Sequence, residues 1–335
     1  MILVTGGTGL VGSHLLFNLV SNNKKVRAIY RNEQKLKNTK DVFACYTKNF
    51  ETLFNSIEWV KADILNITEL DYAFKDVTYV YHCAALVSFE PNRYKQLRKI
   101  NIEGTANVVN FCLFHNIKKL CYVSSIATLG KEVNDGFITE DSIWNPEDDN
   151  SVYAITKYGA EMEVWRGTQE GLQAVIVNPG VILGAGIWKY GTGNLFRKAQ
   201  KGIKYFTSGT IGLIAVEDVV KIMILLLESD IVNQRYILVA ENWTYKRFLQ
   251  TLSLSVNAKK PEKLASASLL YFAWKLDWLK HKLTGKRRIL TKHLAESLTS
   301  ETYYSSVKVT KALEVSFTPI EVTIAHIANL YLKQD

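Results

Sequence analysis

Apolar and polar positions follow two rhythms along this chain. Short β-rich apolar runs alternate with longer stretches whose apolar residues recur three and four apart. Ile2 to Val4 is the first apolar run, and Leu10, Val11, Leu15, Leu16, Leu19 and Val20 follow it at helical spacing. The same reading predicts strands at 24–31, 57–65, 77–85, 118–125 and 172–179. It predicts helices at 41–56, from near Thr68, and at 92–116 and 151–167. Strand and helix in strict alternation argue an α/β protein with a doubly wound parallel sheet. Between the fifth strand and its following helix lies a polar, acidic stretch, 131–150, with Asp135, Glu140, Asp141, Glu147, Asp148 and Asp149. It reads as a surface loop, long enough to be a lid or one wall of a site.

After Gly180 the rhythm changes. Gly184, Gly186, Gly191 and Gly193 punctuate a loop, and 194–201 returns to helix. The run 260–300 is mostly helical by period, with Leu264, Leu269, Leu270, Phe272, Trp274, Leu276, Trp278 and Leu279 as its apolar positions. This divides the chain into a sheet domain over 1–180, to which 211–240 returns, and a smaller, mainly helical C-terminal substrate lobe over 181–210 and 241–335.

The chain has 335 residues, of which 47% are apolar, enough for a large core. The first strand starts at the first residues, so no leader is expected. No apolar run reaches the roughly 18 residues of a membrane span, so no stable membrane insertion is expected. Cys45, Cys83, Cys112 and Cys121 form no CxxC pair. Buried reduced thiols in a cytoplasmic protein are expected, with no metal. The net charge of +9 suits an anionic cofactor, and the aromatic-basic signature of nucleic-acid binders is missing. The basic cluster Lys280, Lys282, Lys286, Arg287, Arg288 and Lys292 reads as a solvated face over a core stripe, with contact to an anionic membrane as the other reading.

The candidate chemistry starts at the first turn. Gly6, Gly9 and Gly12 stand between the first strand and the first helix. Such glycines permit a sharp turn, a close pyrophosphate and tight helix packing, and the helix N-terminus faces the phosphates. This predicts a Rossmann fold. The second strand ends Tyr30-Arg31, with no acid to hold a ribose 2′-hydroxyl. Arg31 suits a 2′-phosphate, helped by Lys35 or Lys37, so NADP (NADPH) is expected, with NAD as the alternative. Asp63, after the third strand, either accepts from the adenine amine or caps the next helix. His82 reads as a satisfied core residue. Tyr153 and Lys157 stand four apart, on one face of a helix. A lysine ammonium beside a tyrosine lowers its pKa and makes it a usable acid or base. Ser124 or Ser125 could bind the same substrate oxygen.

These pieces resemble the short-chain dehydrogenase/reductases in their extended form, the NAD-dependent epimerase/dehydratase family. The resembling segments are 5–12, Ala62-Asp63-Ile64, His82 to Ala85, Asn101 to Thr105, Ser124-Ser125, Tyr153 to Lys157, 178–184, 215–220 and 235–239. The resemblance implies that Ser125, Tyr153 and Lys157 are catalytic, with Ser124 and Thr128 as alternatives to Ser125 and with Asn101 in a proton relay. It implies cofactor contacts from Gly6, Thr8, Gly9, Leu10, Val11, Gly12, Arg31, Lys35, Asp63, Ile64, Ala84, Ala85, Tyr153, Lys157, Pro179 and Val181. Within the family the chain looks most like dihydroflavonol reductases and 3-beta-hydroxysteroid dehydrogenases. Val181 replaces the Asn usual in sugar-nucleotide enzymes, and Ile126-Ala127 replaces the Asp-Glu pair of dehydratases.

The resulting expectation is an NADP-dependent carbonyl reductase or alcohol dehydrogenase acting on a mainly apolar small-molecule ketone or secondary alcohol. The alternatives are a nucleotide-sugar epimerase or dehydratase with tightly held NAD, and a non-catalytic NADP-binding regulatory protein. In this family helices such as 92–116 and 151–167 often pair across a two-fold axis, which implies a homodimer burying Phe111, Phe114 or Trp165.

Overall fold

The computed structural model describes residues 1–130, 136–285, 288 and 290–334. The strands, in chain order, are β1 (Ile2–Thr5), β2 (Val26–Tyr30), β3 (Glu58–Lys61), β4 (Tyr79–His82), β5 (Lys119–Val123) and β6 (Ala174–Pro179). They continue as β7 (Val181–Leu183), β8 (Tyr205–Phe206), β9 (Thr210–Ala215), β10 (Gln234–Leu238), β11 (Glu241–Thr244) and β12 (Lys263–Leu264). Seven of them form one sheet in the order β10-β6-β5-β4-β1-β2-β3, every neighbouring pair parallel. From β1 the chain winds outward to β3, then returns to β4 and winds the other way. The reversal opens a crevice at the carboxyl ends of β1 and β4, where ligands bind in such sheets.

Both faces of the sheet are covered, which is why its central strands are mostly apolar on both sides. On one face the helices Leu10–Ser21 and Val216–Glu228 bury Leu15, Leu16, Leu19, Val219 and Met223. On the other, Gly104–Phe114 and Val152–Gln169 bury Val108, Val109, Ala160 and Val164. A separate core of Leu183, Phe196, Trp243, Phe248 and Ile324 gathers under the three-stranded sheet β11-β9-β7.

The structure departs from the sequence expectations where periodicity averages over a break. The expected helix 41–56 is two helices, Leu36–Ala44 and Phe50–Asn55. The helix expected over 92–116 is interrupted by a π-helical stretch at Arg98–Glu103. Thr210–Ala215 does not rejoin the large sheet but pairs with β7 and β11. Only the helix Val216–Glu228 and β10 return to the large sheet. Val309, expected in the lobe, packs in the sheet domain's core. Cys83 sits just past β4 and is half-buried, whereas Cys112 and Cys121 are buried.

The 131–150 segment is not simply a surface loop. Asp135 lies outside the described residues, but Glu140 and Ser142 are buried. The Glu140 carboxylate accepts from the Ile237 N–H at 2.8 Å, and its carbonyl accepts from Arg235. The segment thereby covers the open edge of β10.

Candidate active site

β1 runs straight into Gly6, whose φ of 72° needs a residue without a Cβ. A Cβ there would also strike the Ala84 N–H, 2.6 Å away. A Cβ at Gly12 would collide with the Gly6 carbonyl, so the first helix packs directly on the turn. That helix has Gly9 at its N-cap, no capping side chain and no acid in its first turn. Its leading N–H groups therefore remain available to an anion.

A cleft of about 350 Å³ opens above this turn. It gathers Gly6, Thr8, Gly9, Arg31, Lys35, Asp63, Ile64, Ala84 and Ala85. Leu10, Val11 and Gly12 form the helix behind it and do not line it, and neither do Pro179 and Val181. Pro179 ends β6, and Val181 is half-buried against the second core. Small residues, helix N–H groups and the cations Arg31 and Lys35 form a donor set that fits a dinucleotide.

Arg31 is mostly exposed and lies 3.7 Å from the Asp63 carboxylate, a weak surface pair. Beyond it a groove adds Lys61 and Lys99, which the sequence reading passed over because they lie on separate elements. Asp63 does not cap the next helix. Asn66 does so by accepting from the Glu69 N–H, while Asp63 accepts from the Leu65 N–H at 3.0 Å. His82 is saturated between Thr5 at 2.7 Å and Thr105 at 3.0 Å. Burial lowers its pKa to about 3, so it stays neutral.

The helix carrying Tyr153 begins where Ser151 accepts from the Ala154 N–H, which puts Tyr153 in its first turn. The Phe89 ring packs edgewise on the half-buried Tyr153 ring at 5.3 Å. Among the three candidate hydroxyls the structure separates roles. Ser124 donates to the Glu161 carboxylate at 2.6 Å and Thr128 at 2.8 Å, and both are buried. Ser125 is half-buried and is the one of the three that acts on the Tyr153 phenol, pulling its pKa down against burial. Its oxygen also accepts from the Ala127 N–H at 3.2 Å. Ser125 is therefore the hydroxyl beside the phenol.

Two expectations change here. The Lys157 ammonium does not point at Tyr153. It donates to the Tyr122 hydroxyl at 2.5 Å and the Val123 carbonyl at 2.9 Å. The Tyr153 pKa is raised rather than lowered, because burial outweighs the Ser125 hydrogen bond. Lys157 itself is pushed down to about 7 by burial, against an opposing pull from the Glu161 carboxylate.

Asn101 sits inside the π-helical stretch and is buried. Its amide clamps the Leu86 backbone, accepting from the N–H at 2.7 Å and donating to the carbonyl at 3.0 Å. It also donates to Thr156 at 3.2 Å, one residue before Lys157. Asn101 thus ties the cleft wall after β4 to the Tyr153 helix.

Sequence reading missed Glu161, the fully buried centre of this region. It accepts from Ser124, Thr128 and Asn178, and pairs with Arg235 at 3.1 Å. Its signal was available: Tyr153, Lys157, Glu161 and Trp165 form an unbroken i, i+4 ladder.

Comparison with known proteins gives a consistent picture. The profile of the NAD dependent epimerase/dehydratase family matches residues 2–240. The protein named "Putative dihydroflavonol 4-reductase" from Synechocystis sp. is 27% identical over 330 residues, covering 96% of this chain and 92% of its own. The sterol demethylase protein B of Methylococcus capsulatus is 26% identical, over 77% of this chain and 75% of its own. Among solved structures, the UDP-glucose 4-epimerase of Thermotoga maritima superposes with a TM-score of 0.77 at 19% identity, covering 99% of both chains.

Proposed function

Because the chain belongs to the NAD dependent epimerase/dehydratase family, in which it is an NAD(P)-dependent oxidoreductase of the extended short-chain type, we propose that it is an NADPH-dependent reductase of an apolar ketone or aldehyde. The same reaction run backwards oxidises a secondary or primary alcohol. The observation that carries the reading is Ser125 acting on Tyr153, on a helix that Asn101 ties to the wall of a cleft cationic at Arg31 and Lys35.

The nicotinamide, when bound, supplies the hydride that ends on the carbonyl carbon. Ser125 donates a hydrogen bond that orients the carbonyl oxygen. Tyr153 gives that oxygen its proton and is left as phenolate. Its place in the first helical turn favours the phenolate. Solvent returns the proton. Phe89 and Val87, both exposed beside this point, offer apolar surface to the substrate. The names of the relatives support the same class, since one is called a dihydroflavonol reductase and another acts in sterol demethylation by its name.

The test is oxidation of NADPH by the pure protein across a panel of aromatic, alicyclic and steroid ketones. Activity is expected with an apolar member, and Tyr153→Phe is expected to lose at least about 90% of it while NADPH affinity is kept. A Tyr153→Phe rate within tenfold of wild type overturns the acid assignment. Release of stoichiometric NAD on denaturation, with turnover of a UDP-sugar, would give the epimerase reading instead.

A further inference from the structure

The helix Ala267–Thr284 has 18 residues and none of them is buried. Its half-buried positions, Leu270, Ala273, Trp274, Asp277 and His281, mark the one side that meets the rest of the protein. Leu269, Phe272, Leu276, Leu279 and Leu283 are spaced three and four apart along the opposite side. Phe272, Leu276 and Leu283 are 64%, 66% and 75% exposed, so nothing among the described residues covers this stripe. The expectation of a core stripe under these residues is thus reversed: the apolar stripe faces out.

The edges of the stripe carry charge of one sign. Lys275 and Lys282 flank one side, each with its ammonium over an aromatic ring, Tyr271 at 4.4 Å and Trp278 at 5.3 Å. Lys280 is on the other side and exposed. The sole acid of the helix, Asp277, is turned inward and accepts from the Leu290 N–H at 3.1 Å. A short way upstream, a second basic surface groups Lys201, Lys204, Lys259, Lys260 and Lys263 with one acid, Glu262. Lys286 and Arg287, part of the basic cluster noted in the sequence, lie outside the described residues.

We propose that this helix lies in the surface of an anionic lipid bilayer, its leucine and phenylalanine stripe in the acyl boundary and its lysines among the headgroups. An apolar stripe edged by lysine with tyrosine and tryptophan at the margin is what the interface binds. Charge decides against a second copy as the occupant, since pairing two such stripes would set lysine against lysine. No helix among the described residues is long and apolar enough to cross a membrane, which agrees with docking in the plane. The inference does not depend on which carbonyl compound the enzyme reduces.

The test is co-sedimentation of the full chain with vesicles of phosphatidylcholine and phosphatidylserine, about two to one. Wild type is expected to pellet at low salt, and less so with phosphatidylcholine alone or at high salt. Phe272→Ser and Leu276→Ser should each lower the partition coefficient about tenfold. Lys275→Glu with Lys282→Glu should remove the preference for phosphatidylserine. Since these side chains are exposed, an unchanged Tm confirms that each variant is folded. Wild type left in the supernatant with mixed vesicles at low salt overturns the proposal. So does binding that survives Leu276→Ser, or a concentration-dependent dimer that Leu276→Ser dissolves, which would make the occupant a second copy.

Discussion

At the scale of single residues, two charges set the behaviour of the site. Among the described residues Arg31 is held only by an exposed pair with Asp63, so turning to a ribose 2′-phosphate would cost little. Charge-assisted bonds of this kind contribute about 1.5–3 kcal/mol each. Wild type should therefore bind NADPH at least about tenfold more tightly than NADH. Arg31→Asp should reverse the order by repelling the phosphate and accepting from the 2′-hydroxyl, as titrations of both cofactors would show. Tighter NADH binding by wild type would mean that Arg31 serves another purpose. Glu161 acts through Lys157, whose pKa burial depresses to about 7 while the Glu161 charge pulls it upward. Glu161→Gln removes that pull, so the lysine should lose its proton at lower pH. If charged Lys157 supports the Tyr153 phenolate, the limb of kcat/KM that falls as pH rises should move to lower pH. The variant should also melt earlier, because the half-buried Arg235 guanidinium loses its carboxylate. An unshifted profile in a folded variant would leave Glu161 a structural role only. Stability follows the opposite sense to that limb. Between about 7 and the ordinary lysine value near 10.5 the unfolded chain binds more protons at this position, so the Lys157 contribution to stability grows as pH rises.

Elements show what can and cannot be read from a sequence. Tyr153, Lys157 and the strand-end serines were legible because a helical face and a strand terminus depend on local spacing alone. The direction of the Lys157 ammonium was not, since Tyr122 and Val123 reach it from β5. That Ser124 and Thr128 turn to Glu161 and leave Ser125 beside the phenol was equally hidden, because that carboxylate comes from another element. The π-helical stretch at Arg98–Glu103 belongs to the same class, because periodicity reads straight through one extra residue per turn. That stretch sets Asn101 between the Leu86 backbone and Thr156. Asn101→Leu should leave these polar groups without partners at a cost of about 1–3 kcal/mol. It should also loosen the Ala84–Ala85 wall, so Tm should fall and the Kd for NADPH should rise together. A lower Tm with unchanged NADPH affinity would confine Asn101 to stability. The exposed helix Ala267–Thr284 misled the sequence reading for the converse reason: its period reports an apolar stripe but not which side the protein covers.

At the scale of the whole molecule, the outer face of the helices Gly104–Phe114 and Val152–Gln169 has no partner among the described residues. Phe114 is 73% exposed, and with Phe111 and Ile67 it borders an apolar groove of about 570 Å³ rimmed by Asn107 and Asn110. Arg166 donates to Asn110 at 2.8 Å, which fixes the two helices side by side and presents one continuous face. We propose that two copies pair through this face about a two-fold axis, so that each Phe114 enters the other copy's groove. Because the contact is isologous, one substitution acts twice. Losing burial of Phe114 costs about 1.5–3 kcal/mol per copy, and Phe114→Glu adds the desolvation of two carboxylates. The dimer Kd should therefore rise at least about a hundredfold. Sedimentation velocity at micromolar concentration should give wild type at twice the 38.0 kDa chain mass and Phe114→Glu at the single mass, with Tm nearly unchanged because the side chain is exposed. A monomeric wild type would remove the dimer. A dimer that Phe114→Glu leaves intact would move the interface to another face, and the lysine-edged helix Ala267–Thr284 would then be tested as that face by Leu276→Ser.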